Sequence, residues 1–192
     1  MADLKGTETE KNLLKAFAGE SQARNRYTYA AEIAEREGYR QIAALFRETA
    51  YNERVHAQRF FSFLDRADAL EITASYPAGK VGTTAENLRA AAAGEHEEWT
   101  EIYPAFAETA KKEGFNQVAA AFTMIAKVEK EHEARYRKLL ENVEQGKVWK
   151  KDASVRWKCR NCGYIHEGPE PPSKCPACLI DKNEFEVDAH NY

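Results

Sequence analysis

The feature that most constrains this chain is a Glu-x-x-His motif that occurs twice, at Glu53 and His56 and again at Glu129 and His132. Residues three apart on an α-helix lie on the same face, one turn apart. A carboxylate and an imidazole placed in this way can bind one metal ion together, or the carboxylate can bridge two ions. The motif therefore predicts helices that carry metal ligands on one face.

The sequence around the two motifs is duplicated. Residues 34–46 align with residues 110–122, and the same alignment superposes one Glu-x-x-His on the other. Upstream, Glu20 corresponds to Glu95, but the second copy has one extra residue between that glutamate and the next glycine break. A π-bulge absorbs one extra residue within a helix, whereas Pro104 would kink the same helix by removing a hydrogen bond. The sequence leaves both explanations open.

Apolar residues at helical spacing predict four long helices joined by two short turns and one long crossover. The predicted helices cover residues 7–37, 39 to about 67, about 84 to 113, and 115 to about 145. Gly38 and Gly114 end the first and third helices, so each is expected to pack antiparallel to the helix that follows. The stretch 68–83 is too long for a tight turn and is expected to cross from one end of a bundle to the other.

Composition limits the remaining possibilities. With 43% hydrophobic residues, 31% charged residues and a formal net charge of -3, the chain has the character of a soluble helical protein. It lacks the basic surface of a nucleic-acid-binding protein and the polybasic cluster that binds an anionic membrane. No apolar run approaches the ~18 residues of a membrane-spanning helix, and the N-terminus has no apolar export signal. The sequence therefore predicts a cytoplasmic protein without nucleic-acid or membrane partners.

All four cysteines lie near the C-terminus, in two Cys-x-x-Cys pairs at Cys159, Cys162, Cys175 and Cys178. In a chain with no export signal, such pairs indicate a metal site rather than disulfides. Thiolates bind either iron or zinc. Tight turns at Gly163 and Pro176 would point backbone N–H groups at the sulfurs and favour an iron electron-transfer centre, and a structural zinc ribbon is the alternative.

The composition changes after Gly146, which divides the chain into two predicted domains. Residues 1–147 are expected to form the helical bundle, and residues 148–192 a small cysteine-containing domain. The second domain has too few apolar residues to hold a core alone, so a bound metal must supply its stability.

Ionisable residues occupy mid-helix positions where a four-helix bundle normally carries apolar side chains. These positions are Glu20, Glu53, His56, Glu95, Glu98, Glu129 and His132. Carboxylates that face one interior repel each other and are costly to desolvate, and two bound cations remove that cost. Carboxylate oxygen and imidazole nitrogen suit iron or manganese, and a Glu on two helices with Glu-x-x-His on the other two is the ligand pattern of di-iron carboxylate bundles. Glu98 has no counterpart in the first copy, and an exposed position is the alternative for it.

Two tyrosines follow these glutamates at helical spacing and are further candidates. Tyr27 lies about two turns after Glu20, and Tyr103 lies just over two turns after Glu95. Either phenol can hydrogen-bond a ligand carboxylate and orient it, or can be an ordinary core tyrosine. The histidines predicted not to be ligands are His96, His166 and His190.

With these motifs the chain resembles the rubrerythrins over essentially its whole length. The resemblance rests on Glu20, the two Glu-x-x-His motifs, Glu95-x-x-Glu98, Cys159-x-x-Cys162-Gly163 and Cys175-Pro176-x-Cys178. It implies a mainly α fold, with a ferritin-like four-helix bundle that has a long crossover, followed by a small rubredoxin-like metal-bound β domain.

The resemblance also implies ligands for two iron ions in the bundle, and for a third iron in the cysteine site, where zinc can substitute. Glu53 and Glu129 are expected to bridge the two irons. The remaining ligands are expected to be Glu20 and Glu98 on one iron, with His56 able to replace Glu98, and Glu95 and His132 on the other. The two irons are therefore expected to be chemically unequal.

The implied activity is that of a non-haem di-iron peroxidase that reduces hydrogen peroxide to water and protects against oxidative stress. The candidate catalytic residues are Glu98, His56, Tyr27 and Tyr103. The implied partners are an external electron donor, either rubredoxin or an NAD(P)H-dependent reductase, and a second copy of the chain in a homodimer. The alternative is a ferroxidase or iron-handling protein of the ferritin type with a structural zinc ribbon.

Overall fold

The computed structural model describes residues 3–65 and 68–190 and contains a helical bundle followed by a small β domain. The helices are α1 (Glu8–Arg36), α2 (Arg40–Phe61), α3 (Thr84–Glu97), α4 (Tyr103–Lys112) and α5 (Asn116–Glu144), and a π segment (Glu98–Ile102) joins α3 to α4. Because α3, the π segment and α4 are continuous, they form the third helix of a four-helix bundle. The predicted mainly α architecture is confirmed.

The π segment lies in the part of the third helix where the duplicated sequence has its extra residue. The extra residue is therefore absorbed as a π-bulge. Pro104 is the second residue of α4, directly after the π segment, so the backbone N–H that proline lacks falls where the hydrogen-bond pattern changes. Of the two explanations left open by the sequence, the structure contains the π-bulge.

The end of α2 differs from the prediction. The sequence predicts a helix to about Ala67, a residue outside the described part of the chain, but α2 ends at Phe61. The hydroxyl of Ser62 donates a hydrogen bond to Arg59 O at 2.7 Å. Such a local side-chain bond competes with continuation of a helix. The other predicted helix ends agree with the structure to within one residue.

The duplication is visible in the two short turns of the bundle. Gly38 and Gly114 both have a φ of 87°, a left-handed conformation that favours glycine. In the first turn Tyr39 N–H donates to Ala34 O at 2.8 Å, and in the second turn Phe115 N–H makes the equivalent bond at 2.8 Å. The same C-terminal cap therefore ends the first and third bundle helices and starts the helix that packs back on each.

Two apolar clusters form the core of the bundle, and the predicted ligands lie between them along every helix. The first cluster includes Tyr27, Phe46, Leu88 and Tyr136. The second cluster includes Leu13, Phe60, Tyr103 and Phe122. Each bundle helix contributes one of these residues to each cluster, on opposite sides of its ligand positions. Apolar side chains therefore enclose the polar centre at both ends.

The crossover reaches Thr83 without helix or strand from residue 68 onward. Thr83 then caps α3, because its hydroxyl accepts from Glu86 N–H while the Glu86 carboxylate accepts from Thr83 N–H, which is a capping box. The third bundle helix therefore begins at a position set by local hydrogen bonds. In the part of the chain that the structure describes, no helix is both long and apolar enough to cross a membrane.

The small domain is a three-stranded antiparallel sheet of β1 (Val155–Cys159), β2 (Ile165–Gly168) and β3 (Phe185–Val187), in the order β2-β1-β3. Its core consists of Trp157 and Phe185 with two of the cysteines. Trp149 stacks on Tyr39 of the bundle, with ring centroids 5.4 Å apart. The domain boundary predicted at residues 147 and 148 falls between α5 and β1 and stays a prediction.

Candidate metal centre

Six of the seven predicted bundle ligands lie together in two overlapping sets. The first set is Glu20, Glu53, His56 and Glu129, and the second set is Glu53, Glu95, Glu129 and His132. Within each set the ligand atoms lie within 4.8 Å of one another, and every member is buried. The two sets therefore adjoin and share two carboxylates. Among the described residues, no such group contains His96, His166 or His190.

The shared carboxylates, Glu53 and Glu129, each face both histidines. Glu53 Oε2 lies 2.9 Å and Glu129 Oε1 lies 3.0 Å from His56 Nδ1. Glu129 Oε2 lies 2.8 Å and Glu53 Oε1 lies 3.3 Å from His132 Nδ1. Each carboxylate therefore directs one oxygen to each set, which is what a carboxylate that bridges two metal ions must do.

Several buried polar atoms of the centre lack hydrogen bonds, and bound metal ions would satisfy them instead. One buried oxygen each of Glu20 and Glu95 has no hydrogen-bond partner, and the close contacts of Glu53 Oε1 and both Glu129 oxygens with the histidines do not have hydrogen-bond geometry. Buried polar groups cost free energy unless a partner or a cation satisfies them. Carboxylate oxygen with imidazole nitrogen suits iron or manganese. The residues therefore fit a pair of metal ions of this kind.

Each candidate tyrosine holds a glutamate from the opposite copy of the repeat. Tyr27 on α1 donates a hydrogen bond to Glu95 Oε1 at 2.5 Å, and Tyr103 on α4 donates to Glu20 Oε1 at 2.5 Å. The second oxygen of each glutamate is the one without a partner. The two buried phenols therefore occupy one carboxylate oxygen each and leave the other free for a cation.

Burial and mutual repulsion raise the pKa of some carboxyl groups of the centre in the metal-free protein. Burial, together with the charges of Glu129 and Glu53, raises the pKa of Glu20 well above its usual range. Burial raises the pKa of Glu95 to about 8, against the opposing effect of nearby His132. Burial also acts to raise the pKa of Glu53, but its contacts with the two histidines outweigh burial and lower that pKa.

The two histidines carry positive charge in the metal-free protein. Burial acts to lower the pKa of His56, but close contacts with Glu129 and Glu53 outweigh it and raise the pKa to about 9. The same two carboxylates raise the pKa of His132 to about 12, again against burial. Two imidazolium ions therefore supply, at neutral pH, part of the charge that two bound cations would supply.

Glu98, the seventh candidate, lies outside both sets. It is the first residue of the π segment, is partly buried, and lines a cavity beside the centre. His56 instead lies with Glu20 in the first set, which matches the arrangement in which His56 replaces Glu98. Burial and the charge of Glu95 raise the pKa of Glu98 well above its usual range, which favours its protonated form next to the centre.

The buried carboxylate of Glu133 holds the π segment in place. No pattern in the sequence predicts this role. Glu133 Oε2 accepts a hydrogen bond from Trp99 Nε1 at 2.5 Å and lies 3.0 Å from His96 Nδ1. Glu133 Oε1 accepts from Arg137 Nε at 2.5 Å. Because Trp99 directly follows Glu98, these contacts tie α5 to the turn that carries Glu98. Glu133 stands in a run of charged residues, where a solvated surface position is the ordinary expectation.

The cysteines of the small domain form a separate group of four, with ligand atoms within 4.8 Å of one another. Cys159 and Cys175 are buried, whereas Cys162 is exposed. Gly163 N–H donates to Cys159 O and Leu179 N–H donates to Cys175 O, each at 2.8 Å. Both Cys-x-x-Cys loops therefore close with equivalent turns. The φ angles are 82° at Gly163 and 63° at Leu179, and the latter is a rare conformation for a branched residue.

Two family models match the chain. One, described as Rubrerythrin, matches residues 11–140, and the other, described as Rubrerythrin, rubredoxin-like domain, matches residues 157–186. The first match covers nearly all of the bundle helices, and the second covers the four cysteines and most of the three strands. Both predicted domain types are therefore confirmed.

Relatives and solved structures agree with these matches. The chain is 59% identical to a rubrerythrin from Porphyromonas gingivalis over 98% of this chain and 94% of that protein. It is 50% identical to a rubrerythrin from Nitratidesulfovibrio vulgaris over 100% of both chains. A structure of nigerythrin in a mixed-valence state aligns with a TM-score of 0.64 at 32% identity, over 98% of this chain and 91% of that chain. A bacterioferritin from Desulfovibrio desulfuricans aligns with a TM-score of 0.63 at 22% identity, over 73% of this chain and 82% of that chain, which confirms the ferritin-like fold.

When the bundle metals are removed, the free energy of unfolding should fall as the pH rises from about 5 to 9. The pKa of Glu95 is raised from 4.5 to about 8 and that of His56 from 6.5 to about 9. In this window the folded state binds more protons than the unfolded state, so deprotonation destabilises it. Glu53, with its lowered pKa, acts in the opposite direction only below this window.

Thermal unfolding, monitored through the circular dichroism signal of the helices, tests this prediction. We expect the Tm of the chelated protein to fall by more than about 5 °C between the two pH values. The metal-loaded protein is the control, and its Tm should not fall, because deprotonated ligands bind metal more tightly. A Tm of the chelated protein that is constant or rises with pH would contradict the account.

Proposed function

Because the chain belongs to the rubrerythrin family, with a di-iron ferritin-like site in the bundle and a four-cysteine rubredoxin-like site, we propose that it is a peroxidase. In this proposal the bundle reduces hydrogen peroxide to water and receives electrons through the cysteine site. The family is a class of iron-dependent oxidoreductases, and the proposal adds the substrate and the route of the electrons.

The observation that carries the proposal is the pair of shared carboxylates, Glu53 and Glu129, which each direct one oxygen to each ligand set. This arrangement can present two metal ions to one small substrate. When bound, two ferrous ions supply the two electrons and the Lewis acidity needed to cleave an O–O bond.

Residues around the two sets would orient the ligands and supply protons. Tyr27 and Tyr103 each bind one oxygen of a glutamate and so fix the direction of its free oxygen. Glu98 lies beside the centre, and burial and the charge of Glu95 raise its pKa and so favour its protonated form. We propose that the Glu98 carboxyl donates a proton to the leaving oxygen and that the two tyrosines act as positioning residues.

The cysteine site has the exposure expected of an electron-transfer site. Cys162 is exposed at its edge, while Cys159 and Cys175 are buried. Iron bound by four thiolates exchanges one electron. We propose that this site accepts electrons one at a time from an external donor, either rubredoxin or an NAD(P)H-dependent reductase.

Exposed apolar residues support a homodimer. Tyr51 and Val55 are exposed one turn apart on α2, and Met124 and Val128 are exposed one turn apart on α5. Leu179, directly after the last cysteine, is 72% exposed. Contiguous exposed apolar patches mark interfaces between proteins, and we propose that these residues form such patches and that a second copy of the chain covers them.

Replacement of His56 by leucine should slow the oxidation of the ferrous protein by hydrogen peroxide. We expect a loss of about a hundredfold, the size seen when a group that fixes a metal site is removed. Stopped-flow absorption of the iron-loaded protein measures this rate. His166→Leu is the matched control, because His166 lies on β2 outside the ligand sets, and its rate should equal that of the wild type.

An unchanged rate in His56→Leu would refute the role given to this residue. The same iron-loaded protein, supplied with a rubredoxin-reducing system, should turn over hydrogen peroxide faster than oxygen. A protein that instead consumes oxygen and accumulates ferric iron beyond its bundle sites would be a ferroxidase of the ferritin type.

Replacement of Cys162 by serine should abolish the function of the cysteine site and leave the function of the bundle site intact. The as-isolated wild type should be red, with thiolate-to-iron charge-transfer absorption, and Cys162→Ser should lose this band together with donor-dependent peroxide turnover. Oxidation of the chemically reduced bundle by one equivalent of peroxide should be unaffected. A colourless wild type with zinc bound by the cysteines would contradict the electron route and support a structural zinc ribbon.

Replacement of Leu179 by asparagine should weaken the dimer. Asparagine tolerates the left-handed backbone at this position, so the change removes apolar area without adding strain. We expect the Kd of the dimer to rise by about tenfold or more, in line with the loss of a buried leucine. Sedimentation equilibrium measures this, with Val81→Asn in the crossover as a control. A monomeric wild type, or an unchanged Kd in Leu179→Asn, would refute the proposed interface.

A further inference from the structure

A cavity of about 220 Å³ lies beside the metal centre. Glu98 and Tyr103 form part of its wall, together with apolar side chains of Ala16 on α1, Ile102 in the π segment and Phe106 on α4. Tyr103 also hydrogen-bonds a ligand glutamate. Tyr103 therefore contacts both the cavity and a ligand glutamate.

The crossover closes the cavity on another side. The Tyr76 hydroxyl donates a hydrogen bond to Lys15 O on α1 at 2.8 Å, and its ring lies 3.7 Å from the position that a Cβ on Gly19 would take. Both tyrosine and glycine line the cavity. Long connections without regular structure are often binding loops or lids, and this one is fastened directly over the space beside Glu98.

The cavity is larger than hydrogen peroxide requires. A water molecule takes about 30 Å³ in the liquid, and hydrogen peroxide has only two heavy atoms. The space would therefore accept a peroxide that carries several carbon atoms. A site evolved for hydrogen peroxide alone has no physical need for an apolar wall of this extent.

The wall does not favour an anionic ligand, because two glutamates line it beside the two cationic residues, and each cationic residue already has a side-chain partner. Lys15 Nζ lies 3.2 Å from Glu8 Oε1. Arg26 Nε donates a hydrogen bond to Gln22 Oε1 at 2.6 Å. Most of the wall that a ligand would meet is apolar, and its polar groups include the Glu98 carboxyl and the Tyr103 phenol, which binds a ligand glutamate.

We infer that this cavity binds the organic part of an alkyl or aryl hydroperoxide, so that the protein reduces organic hydroperoxides as well as hydrogen peroxide. This inference rests on the proposed peroxidase function and widens its substrate class. The O–O bond of ROOH breaks as two electrons from the metal centre and two protons are taken up, which gives ROH and water. The organic group would pack against Ala16, Ile102 and Phe106.

Gly94 on α3 provides a way to fill the cavity. It lines the space, and a Cβ added there would meet no atom within 4 Å. Gly94→Leu therefore introduces a large apolar side chain without a clash at its Cβ, and leucine is favoured over glycine inside a helix. Ala93→Leu is the matched control, because Ala93 is an exposed neighbour on the same helix that does not line the cavity.

The first measurement is steady-state reduction of cumene hydroperoxide and of hydrogen peroxide by the iron-loaded full-length protein. We expect turnover of both, and we expect Gly94→Leu to lower the ratio of their kcat/KM values by about tenfold or more, as for loss of a fitting apolar pocket. Ala93→Leu should keep the wild-type ratio. Reduction of hydrogen peroxide without cumene hydroperoxide overturns this inference alone, whereas reduction of neither also overturns the proposed function.

The second measurement does not depend on turnover. Calorimetric titration with 2-phenylpropan-2-ol, the alcohol formed from cumene hydroperoxide, should show binding to the wild type and to Ala93→Leu. Gly94→Leu should bind the alcohol at least about tenfold more weakly. No binding to the wild type, or equal affinity in all three proteins, would overturn the inference.

Discussion

The rest of the structure depends on the need to neutralise six buried ionisable side chains in the middle of an apolar bundle. Two apolar clusters enclose these groups along every helix, so water cannot solvate them. In the metal-free protein, raised carboxyl pKa values and two imidazolium ions meet the need in part, but several buried atoms stay without a hydrogen bond. Two metal ions would satisfy the same atoms, which links stability of the bundle to its chemistry.

The helices, the duplication and the ligand-bearing positions could be predicted from the sequence because their signals are local. Apolar spacing, a glycine at each turn and a repeated Glu-x-x-His each depend on a few neighbouring residues. The end of α2 could not, because the apolar spacing continues to Leu64, which packs against the second cluster after the helix has ended. The role of Glu133 could not be predicted either, because it depends on a hydrogen bond from Trp99, which is distant in the sequence. Spacing alone also does not decide whether His56 or Glu98 joins Glu20.

The imperfect duplication explains how one centre gains two different sides. The shared carboxylates and the reciprocal bonds of Tyr27 and Tyr103 are nearly symmetric between the two copies. The π segment breaks this symmetry, since it brings Glu98 and a cavity to one side only. In the proposed reaction, the symmetric part holds the metals, and the asymmetric part admits the substrate and supplies a proton.

Diffraction from crystals of the iron-loaded protein, with data on both sides of the iron absorption edge, tests the central claim most directly. That claim is that Glu53 and Glu129 together hold two metal ions. The account predicts two anomalous iron peaks in the bundle, each in contact with both of these carboxylates, and a third peak among the four cysteines. A single iron peak in the bundle, or two peaks that do not share Glu53 and Glu129, would contradict it.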